Sequence, residues 1–237
     1  MNSISNLSCI VLAGGLGKRL QSEVPNLQKV LAPVNRKPFL HYVLYNLSKN
    51  NINNVILAVG HRNQDVLKTI DNIRPHNMNI RFSIEKQPLG TGGAIRNALP
   101  LIKTNEVLIC NGDSLSMFPL EKLYSFHQIK MAKISILLAR IDNISRYGSV
   151  EIDRENRIVE FIEKKASKKE GLINSGIYIL KKELIHEFLS GKSSIELDYF
   201  PKRCCDGMYG FIAKFPFIDI GIPEDYYKAE KFIKELI

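Results

Sequence analysis

CIVLAGGLGKRLQSEVPNLQKVLAPV, Cys9 to Val34, is the stretch that decides the fold of this 237-residue chain. Five apolar residues, 9–13, lead straight into Gly14, Gly15 and Gly17. A run of that length bounded by glycines predicts a buried strand that feeds a tight loop. Backbone N–H groups of glycines can approach an anion closely, because no Cβ stands in the way. Arg19 and, further along, Lys29 place two cations beside the same loop. Donors and cations together suit a polyphosphate; a glycine-rich turn joining a strand to a helix is the plain alternative. The Walker phosphate loop is excluded, since Gly-x-x-x-x-Gly-Lys-Ser/Thr is absent. The dinucleotide fingerprint fails too, because Leu20 stands where its third glycine belongs.

Outward from that loop, strand and helix patterns alternate. Apolar residues at Phe39, Val43, Leu44 and Leu47 predict a helix over 38–49, with Pro38 at a favoured first position. Residues 55–59 and 80–84 read as strands, with a helix over 64–73 between them. Further strands are expected at 106–110 and 134–138 and helices at 94–99 and 120–129. Alternation at this pitch predicts a parallel α/β sheet. Beyond Tyr147 the pattern shortens: 149–152 and 158–162 flank Asp153-Arg154-Glu155-Asn156, a hairpin turn, and are expected as an antiparallel insertion lying over the sheet. Helices are expected over 181–189 and 195–205, joined by a turn at 190–193 with a capping serine. A strand at 210–215 and a helix from Pro223 through Leu236 complete the chain, which reads as one domain over 1–237.

Composition is that of an ordinary soluble globular protein, with 45% hydrophobic and 24% charged residues. Met1 to Ser8 is polar, so no signal peptide is expected, and no apolar run reaches a membrane-spanning length. Cys9, Cys110, Cys204 and Cys205 form no Cys-x-x-Cys pair and fit a reducing cytoplasm. The five histidines show no metal-ligand spacing. A net charge of +9 raises nucleic acid as a partner, yet the cations are spread along the chain. The densest block, 163–170, is flanked by glutamates, and no aromatic-interleaved basic stripe appears. Anionic small substrates suit the charge better; neither nucleic acid nor membrane is expected as a partner.

Three carboxylate or amide positions stand out. Asp113 lies just past a buried strand, in Asn111-Gly112-Asp113. It can be a turn residue, but a polyphosphate site needs a hard cation, and Mg²⁺ is held by one or two carboxylates plus phosphate oxygens. Asp219 sits among apolar neighbours, where an unpaired carboxylate is costly and either a metal ion or a nearby arginine would resolve the cost. Asn174 stands inside an apolar run and needs a hydrogen-bond partner if buried; sugar hydroxyls would serve.

Taken in order, Gly-Gly-x-Gly-x-Arg-Leu at 14–20, Lys29, Gly112-Asp113, Glu163-Lys164, Asn174-Ser175-Gly176 and Asp219-Ile220-Gly221 resemble the sugar-1-phosphate nucleotidyltransferases over nearly the whole chain. Lys18 stands where that family has Thr, and Gln28 and Val30 where it has two prolines. The resemblance implies a Rossmann-like mixed, mostly parallel sheet flanked by helices with a small antiparallel insertion. It implies Leu12, Ala13, Gly14, Gly15, Gly17, Arg19, Lys29 and Asp113 against the nucleotide, with the base held by Gln87, Pro88, Gly90, Thr91 and Gly92. It further implies Asn111, Tyr147, Gly148, Glu163, Lys164 and Asn174 against the sugar phosphate, with Lys165 a competitor for Lys164, and Asp113 and Asp219 on Mg²⁺. Arg19, Lys29, Asp113 and Lys164 are the implied catalytic set. The segments 24–27, 32–34, 37–40 and 219–226 are similar to guanylyltransferases of the family acting on D-glycero-D-manno-heptose 1-phosphate, so GTP and that sugar phosphate are the implied substrates. UTP or dTTP with a hexose 1-phosphate, a silent regulatory lobe, and a nucleic-acid module are the alternatives. Oligomers are common in the family, so a homodimer is left open. No appended repeat domain is apparent, and the receiving glycan is not legible.

Overall fold

Along the first apolar run the side chains alternate between two hydrophobic layers: Cys9 and Val11 pack into one, Ile10 into the other. Such alternation is the period of a strand buried on both faces. The computed structural model describes residues 4–15, 17, 19–25, 27–60, 63–144, 147–162, 170–188 and 190–236. In chain order the run is β1 (Ser8–Leu12), followed by β2 (Pro33–Val34), β3 (Lys37–Pro38), α1 (Phe39–Lys49), β4 (Asn54–Val59), α2 (Gln64–Ile73), β5 (Asn79–Ile84) and α3 (Gly90–Ala98). Then come β6 (Glu106–Asn111), β7 (Ser114–Ser116), α4 (Leu120–Ile129), β8 (Ile134–Ile141), β9 (Ser149–Ile152), β10 (Ile158–Ile162), β11 (Gly171–Lys181), β12 (Met208–Ala213), β13 (Phe217–Asp219) and α5 (Pro223–Leu236).

The main sheet runs β10-β9-β11-β6-β1-β4-β5, with β8 beside β11 and β12 beside β8. Pairs β1–β4, β1–β6, β4–β5 and β8–β12 are parallel, while β11 runs antiparallel to both β6 and β8. The expected mixed, mostly parallel sheet is what forms. Helices α1, α2, α4 and α5 cover one face. Helix α2 shows why: Val66, Ile70 and Ile73 recur at helical spacing and are all buried there. The other face is covered by α3 and by the irregular segment carrying Leu184, Phe188, Ile195 and Phe200. No helix among the described residues is long and apolar enough to cross a membrane.

Several local expectations change. The 158–162 and 149–152 strands do form a hairpin, and the Asp153 carboxylate accepts from the N–H groups of Glu155 and Arg157 at 2.8 and 2.9 Å to hold its turn. That hairpin extends the sheet edge through an Ile173–Ser149 pairing; it does not lie over the sheet. The expected helices over 181–189 and 195–205 are absent as regular helices. Instead β11 runs on to Lys181, paired with Glu106, and is followed by a 3₁₀ segment at Lys182–Glu187. Short turns at Ile195–Tyr199 and Phe200–Arg203 replace the second helix. Phe200 itself holds helical dihedrals, but Pro201 has no N–H to donate to the carbonyl four residues back, so the hydrogen-bond ladder cannot run on as a regular α-helix. Pro38 caps α1 and Phe39 is its first residue, one place later than expected.

Candidate functional site

Parallel strands present their carboxyl ends along one edge, and the chain gathers its polar residues there. Strands β1 and β6 end in register, Leu12 opposite Asn111. The Gly112 N–H donates to the Leu12 carbonyl at 2.9 Å, which turns the chain and sets Asp113 at the mouth of the glycine loop. The three-residue strand β7 then pairs antiparallel with β13, placing Ser114 opposite Asp219. The Ile220 N–H donates to the Asp113 carbonyl at 3.0 Å and locks that register. Two carboxylates from distant parts of the sequence thus become neighbours.

Lys29 lies between them. Its ammonium is 2.6 Å from Asp113 Oδ2 and 4.0 Å from Asp219 Oδ1, and its side chain is only 10% exposed. Asp219 also accepts from the Ser114 hydroxyl on Oδ2 at 2.7 Å and from the Gly221 N–H on Oδ1 at 2.6 Å. A Cβ on residue 221 would stand 2.4 Å from Asp219 Oδ1, so glycine alone permits this grip. Burial pushes the Asp219 carboxyl above the usual range near 3.8, and the neighbouring Asp113 charge pushes it further. Lys29 and the two hydrogen bonds oppose the rise without cancelling it. One ammonium therefore serves two carboxylates, and a negative charge is left over. The cation that answers Asp219 is a lysine, not the arginine weighed from sequence. Among the described residues no group of three His, Cys, Asp or Glu side chains forms a ready-made metal cage. A pair of carboxylates with residual negative charge nonetheless fits Mg²⁺, which takes one or two protein carboxylates and completes its shell with phosphate oxygens and water.

A cleft of about 1200 Å³ opens beside this cluster. Of the residues anticipated from sequence, Gly15, Gly17, Arg19, Lys29, Asn111, Asp113, Tyr147, Gly148, Asn174 and Asp219 line it. Leu12, Ala13 and Gly14 lie behind the loop; the Ala13 N–H donates to the Ala58 carbonyl at 2.8 Å and so faces the sheet. Gln87, Pro88 and Gly90 are exposed, Thr91 is half-buried and Gly92 is buried, and all five lie outside the cleft lining. Glu163, Lys164 and Lys165, and also Lys18, fall outside the described residues.

The glycines at 90–93 do make the close approach expected of them, but to the chain itself. They form the first turn of α3, and the N–H groups of Gly92 and Gly93 donate to the Ser193 carbonyl at 2.9 and 3.4 Å. A Cβ at Gly90, whose φ is +72°, would lie 2.4 Å from that same oxygen. The serine that caps the following turn is Ser194, whose hydroxyl accepts from the Leu197 N–H at 3.2 Å. Thr91 Oγ1 accepts from the Ile195 N–H at 2.9 Å and donates to Glu196 Oε2 at 2.6 Å.

Glu196 leads into a hydrogen-bond network in the cleft wall that sequence reasoning missed. The Tyr178 hydroxyl donates to Glu196 Oε1 at 3.2 Å and accepts from Asn174 Nδ2 at 2.7 Å. Burial, reinforced by the Glu196 charge, raises the Tyr178 hydroxyl well above its ordinary pKa, so it stays a donor. Asn174 Oδ1 accepts from the Gly176 N–H at 2.8 Å. Asn111 Oδ1 is buried with no hydrogen-bond partner among the described residues, although Asn111 lines the cleft. An orphaned acceptor in a cleft wall is a demand for a donor. Only Tyr178 carried a sequence signal, through its place in the Asn-x-Gly-Ile-Tyr strand; Glu196 and Ser114 carried none, because each acquires its role from segments remote in sequence.

The nucleotidyl transferase family model matches residues 8–235. The chain is 42% identical to the D-glycero-alpha-D-manno-heptose 1-phosphate guanylyltransferase of Aneurinibacillus thermoaerophilus, covering 98% of this chain and 100% of that one. It is 40% identical to the Campylobacter jejuni enzyme of the same name, covering 93% and 97% respectively. The crystal structure of HddC from Yersinia pseudotuberculosis complexed with GMP-PN superposes with a TM-score of 0.87 at 35% identity, over 96% of this chain and 99% of that one. With the glycine loop, the twin carboxylates and the lysine between them in place, the chain belongs to the nucleotidyl transferase family.

Proposed function

We propose that this chain joins GTP and D-glycero-D-manno-heptose 1-phosphate to give GDP-heptose and pyrophosphate. The observation that carries the chemistry is Lys29 held between Asp113 and Asp219 at the rim of the glycine loop, in a cleft large enough for both substrates. The substrates themselves rest on the names of the two relatives quoted above.

An oxygen of the sugar 1-phosphate attacks the α-phosphorus of the triphosphate in line, the bond to the bridging oxygen breaks, and pyrophosphate departs. The protein has little covalent chemistry to perform, so positioning and charge decide the rate. Lys29 and Arg19 supply positive charge where the triphosphate lies, and backbone donors of Gly15 and Gly17 line the same wall. We assign the base to the loop from Gln87 to Gly92, which lies outside the cleft lining but is joined to it by the Thr91–Glu196 hydrogen bond. We assign Tyr147, Gly148, Asn111, Asn174 and Glu163 to the sugar and Lys164 to its phosphate. Asp113 and Asp219 are the residues that would hold Mg²⁺, whose contribution is to neutralise charge on the phosphate oxygens. We read residues 1–237 as a single nucleotidyltransferase domain working in the cytoplasm and feeding a surface glycan of capsule or lipopolysaccharide type.

A matrix of GTP, ATP, UTP and dTTP against heptose, mannose and glucose 1-phosphates, scored by pyrophosphate release with and without a divalent ion, tests this. The GTP–heptose cell should exceed every other by at least an order of magnitude and should fall to background under chelation. Preference for another triphosphate or a hexose would replace the assignment.

A further inference from the structure

We propose that Glu196 is a specificity-determining residue that accepts a hydrogen bond from a hydroxyl of the glycosyl phosphate, an inference that rests on the nucleotidyl-transfer reading above. Glu196 lines the cleft and is only partly exposed. Its carboxylate is held from two sides: Thr91 and Ser194 donate to Oε2 at 2.6 and 2.8 Å, and Tyr178 donates to Oε1 at 3.2 Å. Those are three neutral donors, and no salt bridge to Glu196 forms among the described residues. A carboxylate offers about four acceptor positions, so Oε1 keeps capacity for one more donor.

A brace between α3 and the following turn would need only an amide. A carboxylate held without a cation among the described residues, at the wall of a cleft, suits a ligand that brings hydroxyl donors. The surroundings agree. Phe161 stacks on Phe200 with ring centroids 5.5 Å apart, and Phe200 meets Tyr178 edge-on at 5.1 Å. This aromatic wall fixes the Tyr178 hydroxyl, and through it the Glu196 carboxylate, in a single geometry. Phe161 and Pro201 face the cleft beside Asn174, Tyr178 and Glu196, so one end of the cleft combines an apolar surface with convergent polar groups. That combination binds the C–H face and hydroxyl edge of a sugar ring. The triphosphate end is different in kind, since it carries Arg19 and Lys29.

The test pairs Glu196→Gln with a panel of sugar 1-phosphates each lacking one hydroxyl, with kcat/KM measured for every combination. A hydrogen bond to a charged acceptor is worth about 10- to 100-fold in such a comparison. The wild-type protein should lose that factor on one member of the panel. Glu196→Gln should lose a similar factor on the complete sugar and nothing further on that member, while its other penalties stay as in the wild type. A brace without substrate contact would slow all members equally and leave every penalty in place, and that result overturns the proposal. So does a loss of coupling seen with 2′- or 3′-deoxy-GTP and not with the sugar panel. Should the amide variant not fold, Glu196→Asp keeps the charge but withdraws it by one methylene, and coupling reduced at the same hydroxyl is expected. A wild-type protein inactive with every sugar 1-phosphate overturns the reaction reading together with this inference, whereas unchanged penalties in an active variant overturn Glu196 alone.

Discussion

Replacing Lys29 by methionine removes one charge from a three-charge cluster while keeping most of the side-chain volume. Asp113 loses a partner at 2.6 Å and Asp219 one at 4.0 Å, and the two carboxylates then face each other with no cation between them. Breaking a buried ion pair by removing one partner costs about 3–5 kcal/mol. The carboxylates here are 30% and 25% exposed, and solvent screens them, so about 1–3 kcal/mol is the appropriate scale. For a chain of this length that corresponds to a melting temperature lower by about 2–10 °C. The loss carries a pH signature. Asp219 already has a folded-state pKa above 3.8, and without Lys29 it rises further. A raised carboxyl binds more protons in the folded than in the unfolded state, so stability is greatest below the unfolded value and is lost as pH rises through the folded one. The gap between Lys29→Met and wild type should therefore be wide at neutral pH and shrink as pH is lowered toward 3.8. Turnover should fall by about 10²–10³-fold, the scale of a lost preorganised electrostatic donor. Pyrophosphate release and thermal melts across pH read both effects. Near-wild-type turnover, or a stability gap independent of pH, would refute the reasoning.

The remaining predictions concern neighbouring groups. Asp219→Asn keeps hydrogen-bonding capacity toward Ser114 and Gly221 but removes the surplus charge, so its melting temperature should equal or exceed wild type while turnover falls by about 10²-fold; a lower melting temperature would contradict the charge count. Gly221→Ala sets a methyl 2.4 Å from Asp219 Oδ1 and forces the carboxylate to move. It should lower stability by about 1–3 kcal/mol, as overpacking does, and reduce activity with it, both measurable on one preparation. His127 is buried against Ser135 and Glu106, and burial lowers its pKa to about 4. The unfolded chain binds the extra proton between the ordinary value of 6.5 and about 4, so stability is present above that window and about 3 kcal/mol is lost as pH falls through it. Denaturant titrations of His127→Asn should show that slope flattened; a slope equal to wild type would remove His127 as its source.

Much of the sheet was legible. Strands β1, β4 and β6 are buried on both faces, and a short apolar run ended by glycine or a polar turn is the signature of such a strand. Helix α2 announces itself by an apolar stripe at helical spacing. The segment after β11 has an apolar spacing that imitates a helix, while Pro201 and the pairing of Lys181 with Glu106 decide against one. Strands β7 and β13 are three residues each, too short for any periodicity to show, although they are what carries Asp219 to the site. Sequence placed Gly90 and Gly92 in a base-binding loop, and it gave no sign that the N–H groups of Gly92 and Gly93 also donate to the Ser193 carbonyl.

The amino-acid sequence by itself determined the α/β class and the glycine loop with its two cations, and it marked Asp113 and Asp219 as carboxylates to be accounted for, because these rest on local periodicity and on residue chemistry within short windows. Only the tertiary structure decided that Lys29 stands between those two carboxylates and that Thr91, Tyr178 and Glu196 share one hydrogen-bond network. The physical reason is that such meetings depend on strand register and on packing between segments far apart in the chain, where no local propensity reaches.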